Sequence, residues 1–233
     1  GAAVTALMIT KGANPYLTLP AAFAAGVAAG ICTGLIHVKC KVRDLLSGII
    51  MMTALWTINL RVAGTANVPL FSQKTIFKND TLDKLLPSGF SAYPTLLIIL
   101  IIALIVKIIL DLYLNTKSGY LLRAVGDNDK LVTAMAKDEG NVKILGLAIA
   151  NGLCSLAGCI FCQEERVFEI SSGTGAMVIG LASVIIGTSI FKKISFVKTT
   201  TAVLIGSIIY KACVVILVLS MERKKKVKKN AGA

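Results

Sequence analysis

The chain has 233 residues, of which 55% are hydrophobic and 16% charged, and its mean hydropathy is +0.78. A soluble domain would carry about 25% charged residues. Here the surplus apolar residues lie in continuous blocks of about 16 to 22, the length that crosses about 30 Å of hydrocarbon. Continuous runs exclude an outer-membrane β-barrel, and the net charge of +13 does not indicate nucleic-acid binding, because the basic residues flank the apolar blocks. We therefore predict an all-α, polytopic transmembrane helical bundle.

The apolar runs predict seven helices, of which the first is only half a bilayer long. They cover residues 1–10, 15–36, 45–60, 94–114, 144–162, 174–190 and 199–220. The chain begins inside an apolar run without an initiator methionine, so we expect a preceding segment. Residues 1–221 are predicted to form one transmembrane domain, and residues 222–233 a basic tail.

The distribution of lysine and arginine among the short loops predicts the orientation, because cytoplasmic loops are enriched in both. Residues 39–43 contain Lys39, Lys41 and Arg43 and are predicted to be cytoplasmic. Alternation then agrees with charge at four further loops: 61–93 outside, 117–143 inside, the acidic 163–169 outside, and 192–198 inside. It would also place the basic tail outside, against its charge. Either residues 174–190 or residues 199–220 therefore do not form a simple span, or a final helix is absent. Lys211, midway along the last span, favours a broken or bent segment there.

Three glycines recur every four residues in the second span, at Gly26, Gly30 and Gly34. They give one helix face without side chains, which lets a second helix approach closely. The partner helix is predicted to lie within the chain or in a second subunit. In the fourth predicted span, Lys107 and Asp111 are one turn apart and can pair, either as a structural contact or as a proton relay.

Motifs for catalysis are absent from the sequence. Cys159 and Cys162 form a CxxC without a second pair, and the single histidine, His37, is distant in sequence. Packing of small side chains is therefore favoured over a zinc or redox site. No HExxH, GxSxG or GxxxxGK[ST] motif occurs, so we predict no catalytic residue, metal or cofactor on this chain. If the protein performs energised work, another subunit supplies the energy.

The predicted cytoplasmic connection contains a polar segment, LLRAVGDNDKLVTAMAKDEGN. It offers N-capping oxygens at Asp127, Asn128 and Asp129, and a left-handed stop at Gly140 and Asn141. The helix predicted between them has an apolar face made by Val132, Met135 and Ala136. It is too short to be stable alone, and acids in its last turn oppose the helix dipole. These features favour docking onto a basic partner, with a helix lying on the membrane surface as the alternative.

The run YLLRAVGDNDKLVTAMAKDEGNVKILGLAIANGLCSLAG resembles the hallmark region of type II ABC-importer permeases, which serve branched-chain amino acids, simple sugars and nucleosides. GTGAMVIGLASVIIGTSIF and AVLIGSIIYK extend the resemblance, and the upstream residues resemble the amino-acid-type subgroup most closely. The resemblance implies the type II permease fold, shortened at both ends. It also implies that residues 117–143 couple to an ATPase, and the matching positions are Arg123, Ala124, Gly126, Asn128, Ala134 and Gly140. Asp127, Asp129 and Met135 of the same segment complete the predicted coupling site.

The resemblance implies a multi-pass permease subunit of an ABC importer in the bacterial cytoplasmic membrane, moving a small polar solute, by subgroup an amino acid. The implied partners are a second permease copy, a cytoplasmic ABC ATPase that carries ATP and Mg, an extracytoplasmic substrate-binding protein and the lipid bilayer, without nucleic acid.

Polar residues in or beside the spans are candidates for the transport path: Asn14, Asn59, Asn67 and Asn151. Hydrogen bonds between helices and helix caps are the alternative roles for each. An ion-coupled secondary transporter or channel remains a second hypothesis, and a membrane assembly protein a third. The former would need membrane-embedded acids, whereas the charged residues in the spans are only Lys107, Asp111 and Lys211.

Overall fold

The computed structural model describes residues 1–77, 94–127, 139–191 and 198–231. They form eight α-helices, one 3-10 helix and two short strands. Six helices are long and apolar enough to cross a membrane, which confirms the predicted all-α polytopic class. The chain divides into two compact units, Gly1–Ile170 and Ser171–Ala233.

The helices of the first unit follow the predicted apolar runs. In chain order they are α1 (Ala2–Thr10), a 3-10 helix (Pro15–Leu17), α2 (Thr18–Lys39), α3 (Asp44–Ala63), α4 (Pro94–Leu114), α5 (Lys117–Asp127) and α6 (Glu139–Glu165). The helix α3 ends at Gly64, whose φ of 78° is the left-handed conformation that terminates helices without a Cβ penalty. The core of this unit lies where α1 meets the end of α6, and consists of Ala3, Ala6, Ile9, Leu70, Cys162 and Phe168.

Two short strands, which the sequence did not predict, join the loops at one end of the first unit. Strand β1 (Asn67–Pro69) pairs antiparallel with β2 (Val167–Glu169), and Asn67 lies opposite Glu169. A bond from Leu70 N to Arg166 O (2.8 Å) and one from Ile170 N to Ala66 O (3.1 Å) extend the pairing. Both loops must therefore lie on one side of the membrane, as the charge pattern predicted for this pair of loops. We call it the outer side.

The second unit is a pair of helices, α7 (Ser172–Phe191) and α8 (Thr199–Ala231). They run antiparallel and approach through small residues. A Cβ added at Gly187 would lie 2.4 Å from Ala202 O, and one at Gly206 would lie 2.4 Å from Ser183 O. Each helix thus contributes two small residues four apart, the spacing that permits close approach in membranes.

Of the alternatives for the last span, a broken segment at Lys211 is wrong, because Lys211 lies inside the continuous helix α8. A helix satisfies all of its interior backbone hydrogen-bonding groups, and breaking it in hydrocarbon would leave several of them unpaired. One lysine side chain, which can extend along the helix, costs less than that.

Candidate functional site

The helices α2 and α6 form the most extensive helix contact of the first unit. We call the line of contact the glycine seam: Gly26, Gly30 and Gly34 of α2 against α6. A Cβ added at Gly26 would lie 2.5 Å from Asn151 O, and one at Gly30 2.5 Å from Leu147 O. At Gly34 it would lie 2.9 Å from Ile144 Cα. These separations leave no room for any side chain, so the backbones touch directly.

The glycine seam joins two antiparallel helices. Higher residue numbers in α2 contact lower residue numbers in α6: Gly26 lies opposite Asn151, and Gly34 lies opposite Ile144. Gly152 of α6 accommodates Phe23 and Val27 in return, with its added Cβ 2.8 and 2.9 Å from them. The structure thus places the three glycines at an intrachain contact.

The outer end of the same helix pair contains four polar or polarisable side chains that we call the outer polar junction: Thr18, Ser155, Cys159 and Gln163. All four are buried, and Thr18, Cys159 and Gln163 have 0% exposure. Gln163 Nε2 donates to Thr18 Oγ1 at 2.8 Å and to Cys159 Sγ at 3.4 Å. Thr18 Oγ1 donates in turn to Pro15 O at 2.6 Å, and Ser155 Oγ donates to Ala22 O at 2.5 Å. Helices α2 and α6 are thereby fastened by hydrogen bonds that lipid cannot supply.

Gln163 also fastens the loop that follows β1. Its Oε1 accepts from Ile76 N at 3.1 Å, so one buried amide links α2, α6 and the outer loop. The Arg166 guanidinium donates to Phe71 O in the same loop. Sequence reasoning missed Gln163 by placing it in the acidic outer loop. The available signal was helical spacing, because Gln163 continues the buried face of Gly152, Ser155 and Cys159.

The cytoplasmic connection contains the amphipathic helix α5, which links α4 to the residues before α6. Its inner face consists of Gly119, Leu122 and Val125, and a Cβ added at Gly146 of α6 would lie 2.5 Å from Leu122 Cδ1. Its exposed face consists of Lys117, Tyr120, Arg123 and Gly126. Thr116 Oγ1 caps the helix by accepting from Gly119 N at 3.3 Å. A short helix packed on α6 thus presents two cations on its free face.

The predicted local structure around this connection is partly wrong. Gly140 and Asn141 do not stop a helix, because both lie in the first turn of α6, which begins at Glu139. There Glu139 pairs with Lys143 and lies where the helix dipole favours an acid. Asp127 is the last residue of α5 rather than a cap outside it. Further predicted residues lie outside the described ranges: Asn128, Asp129, Val132, Ala134, Met135 and Ala136.

The four asparagines proposed for a transport path lie in or beside four different elements: the 3-10 helix, α3, β1 and α6. Asn14 caps the 3-10 helix, where its Oδ1 accepts from Tyr16 N at 3.2 Å. Asn67 lies in β1, and Asn151 Nδ2 donates within α6 to Leu147 O at 2.9 Å. Asn59 is half-buried near the end of α3. Asn14 thus caps a helix, Asn67 takes part in strand pairing and Asn151 forms a hydrogen bond within its own helix. A role of the four asparagines in transport stays a prediction.

The remaining candidate groups are one ion pair and two cysteines. Lys107 Nζ and Asp111 Oδ2 are 2.9 Å apart and form an ion pair between successive turns of α4. Cys159 and Cys162 are buried free thiols. Within the part of the chain that the structure describes, no group of three or more His, Cys, Asp or Glu residues could hold a metal ion.

The fold and these contacts define a multi-pass helical membrane protein with a packed helix core and a short helix between two spans. Comparison with known proteins identifies its family. Residues 1–222 match the family model described as the permease component of branched-chain amino acid transport systems. The chain is 40% identical over 210 residues to a tyrosine transport system permease protein of Clostridioides difficile (strain R20291), covering 90% of this chain and 67% of that protein.

A second relative is an uncharacterized protein of Rickettsia prowazekii (strain Madrid E), 30% identical over 214 residues, which cover 90% of this chain and 72% of that protein. No solved structure matches significantly. The chain belongs to the family of branched-chain amino acid transport system permeases, which confirms the resemblance to type II ABC permeases of the amino-acid-type subgroup.

Family membership makes this chain the permease component of an amino acid transport system. It is a multi-pass protein, in bacteria of the cytoplasmic membrane. The family comprises transport permeases rather than catalytic enzymes, and its members work in general with an ATPase and a binding protein. No finding supports the ion-coupled alternative.

Proposed function

We propose that this chain is the membrane subunit of an ATP-driven importer whose substrate is tyrosine or a closely related amino acid. The observation that supports tyrosine as the substrate is the 40% identity, over 90% of the chain, with a protein named as a tyrosine transport system permease. Two copies of the chain form the pathway, an extracytoplasmic binding protein delivers the amino acid, and ATP and Mg bind to a cytoplasmic ATPase.

Coupling to the ATPase runs through α5 and the residues that follow it. The exposed face of α5 offers Arg123 beside Gly126, with Asp127 at the helix end. Asn128, Asp129, Ala134, Met135 and Gly140 complete the proposed contact. Because Leu122 of α5 packs on Gly146 of α6, a displacement of α5 reaches α6 directly. ATP binds the inward-open and outward-open states of the transporter with different affinities, and ATP binding therefore shifts the population toward the state that binds it more tightly.

Uptake by reconstituted vesicles tests the proposed function. The chain is reconstituted with the ATPase and the binding protein of its transport system, and uptake of radiolabelled tyrosine is measured with and without ATP. We expect uptake only when ATP and both partners are present, with competition by unlabelled aromatic amino acids. Uptake driven by an ion gradient without ATP would contradict the proposal and support a secondary transporter. ATP-driven uptake of another solute would contradict the substrate alone.

A pair of substitutions at Gly126 tests the coupling role of α5. Proline at this position removes a backbone donor and clashes within the last turn, which costs about 3 kcal/mol or more in a helix interior. Alanine meets no atom within 4 Å and favours the helix. We expect Gly126→Pro to reduce ATP-driven uptake at least about ten-fold while Gly126→Ala transports normally. Normal coupling in the proline variant would show that the ATPase docks elsewhere.

A further inference from the structure

The last helix continues beyond the membrane span into a strongly basic segment. The apolar part of α8 extends over Thr199–Arg223, whereas the helix itself continues to Ala231. Residues 223–229, which we call the basic segment, contain six cations in seven positions: Arg223, Lys224, Lys225, Lys226, Lys228 and Lys229. The family match ends at residue 222, so membership of the family assigns no role to this segment.

Like charges crowd the helix that contains the basic segment. Five pairs of cations lie three or four residues apart, at 223/226, 224/228, 225/228, 225/229 and 226/229. Such neighbours destabilise a helix in water. Glu222 is the one acid among residues 222–231, and it neighbours only Lys225 and Lys226 at this spacing. The favourable helix dipole acts on the last turn alone. Anionic groups from outside the segment would relieve this repulsion and stabilise the continuous helix.

The depth of the basic segment matches a lipid headgroup layer. At a rise of 1.5 Å per residue, residues 223–229 extend over about 9 Å beyond the apolar span. The headgroup region on each side of a bilayer is about 5 to 7 Å thick, and the Debye length at physiological salt is about 8 Å. The basic segment thus matches the headgroup layer in length, to within one Debye length.

The arrangement of the cations around the helix distinguishes a lipid layer from a protein partner. Residues 223–226 are four consecutive cationic residues, and successive helix positions are separated by about 100°, so these positions do not share one face of the helix. A docked protein contacts one face of a helix and would leave the remaining cations in solvent. A headgroup layer surrounds an emerging helix on every side.

We infer that the basic segment is a docking site for anionic phospholipid headgroups, which hold it helical as it leaves the bilayer. The ligand chemistry is the phosphodiester of a lipid such as phosphatidylglycerol, whose negative charge complements the six cations of the segment. Lipid composition then controls how firmly the end of α8 is anchored.

Amide hydrogen exchange tests this inference on the full chain in nanodiscs of phosphatidylcholine alone or with about 30% phosphatidylglycerol. We expect exchange within residues 222–231 to slow at least about ten-fold when phosphatidylglycerol is present, and about 0.5 M salt to reverse the effect. The triple variant Lys224→Gln, Lys225→Gln, Lys226→Gln should lose this dependence. The matched variant with arginine at the same positions should keep it.

Exchange within α7 serves as the folding control, since it should be equal in all variants and lipids. Equal exchange of residues 222–231 in the two lipids would overturn the inference, as would a lipid effect that survives in the glutamine variant. Slowing that appears only on addition of the ATPase, in either lipid, would also overturn it and would identify a protein partner.

Discussion

Replacing Gly30 with leucine is expected to destabilise the folded permease by about 3 kcal/mol or more. The added Cβ alone would lie 2.5 Å from Leu147 O and 2.6 Å from Ala148 Cα, so the backbones of α2 and α6 must separate. In the membrane no hydrophobic effect favours renewed contact between the helices, because lipid tails solvate the separated apolar surfaces as well as the partner helix does. The separation would also weaken the bonds of the outer polar junction.

Thermal stability of the purified protein in nanodiscs measures this effect. A loss of 3 kcal/mol corresponds to a drop of about 6 to 12 °C in the unfolding midpoint of a chain of this size. Gly48→Leu is the matched control, because Gly48 lies in a transmembrane helix with no atom within 4 Å of an added Cβ. If both variants unfold at the wild-type temperature, the glycine seam is not the contact that holds α2 to α6.

Replacing Gln163 with leucine is expected to release the outer loop from the helix pair. The substitution removes the acceptor of the buried Ile76 N–H and the donor to Thr18 Oγ1. An unsatisfied buried donor costs about 1 to 3 kcal/mol, and leucine offers no compensating bond. The backbone between Leu70 and Ile76 should therefore open more often, while α2 and α6 stay packed along the glycine seam.

Hydrogen exchange of the Ile76 amide reports this release directly, and we expect it to accelerate at least about ten-fold in Gln163→Leu. Thr18→Val should have a smaller effect, because the bond between Gln163 and Ile76 remains. Gln73→Leu is the control in the same loop: its side chain is only half-buried, so removal of its amide should leave Ile76 protected. Unchanged exchange in Gln163→Leu would show that the loop is held by β1 and Arg166 instead.

The two sites divide the first unit into parts with different expected mobility. The glycine seam and the outer polar junction join α2 and α6 along most of their length. The helix α5, by contrast, packs through Gly119, Leu122 and Val125 and leaves its other face exposed. We therefore expect the ATPase to displace α5 first. The helices α2 and α6 should then move together as one rigid pair.

Sequence alone determined the fold class, the positions of the spans and the family. These features depend on residue patterns over short distances: apolar runs of bilayer length, polar breaks between them, and the RAVGDN stretch. The ends of α4 were predicted to the residue, since Pro94 opens the helix and Asn115 follows its last residue. The spacing of Gly26, Gly30 and Gly34 likewise predicted a close helix contact before its partner was known.

Only the tertiary structure decided which helix faces the glycines and which polar residues meet. Thr18 and Gln163 are 145 positions apart, and nothing in the local pattern of either predicts that they bond. The strands β1 and β2 contain three residues each, too few for an alternating pattern of apolar and polar residues to predict a strand. Gly140 resembled a helix stop by residue type, yet the adjoining apolar run extends α6 through it. Glycine is tolerated inside a helix when packing outweighs its intrinsic cost of about 1 kcal/mol.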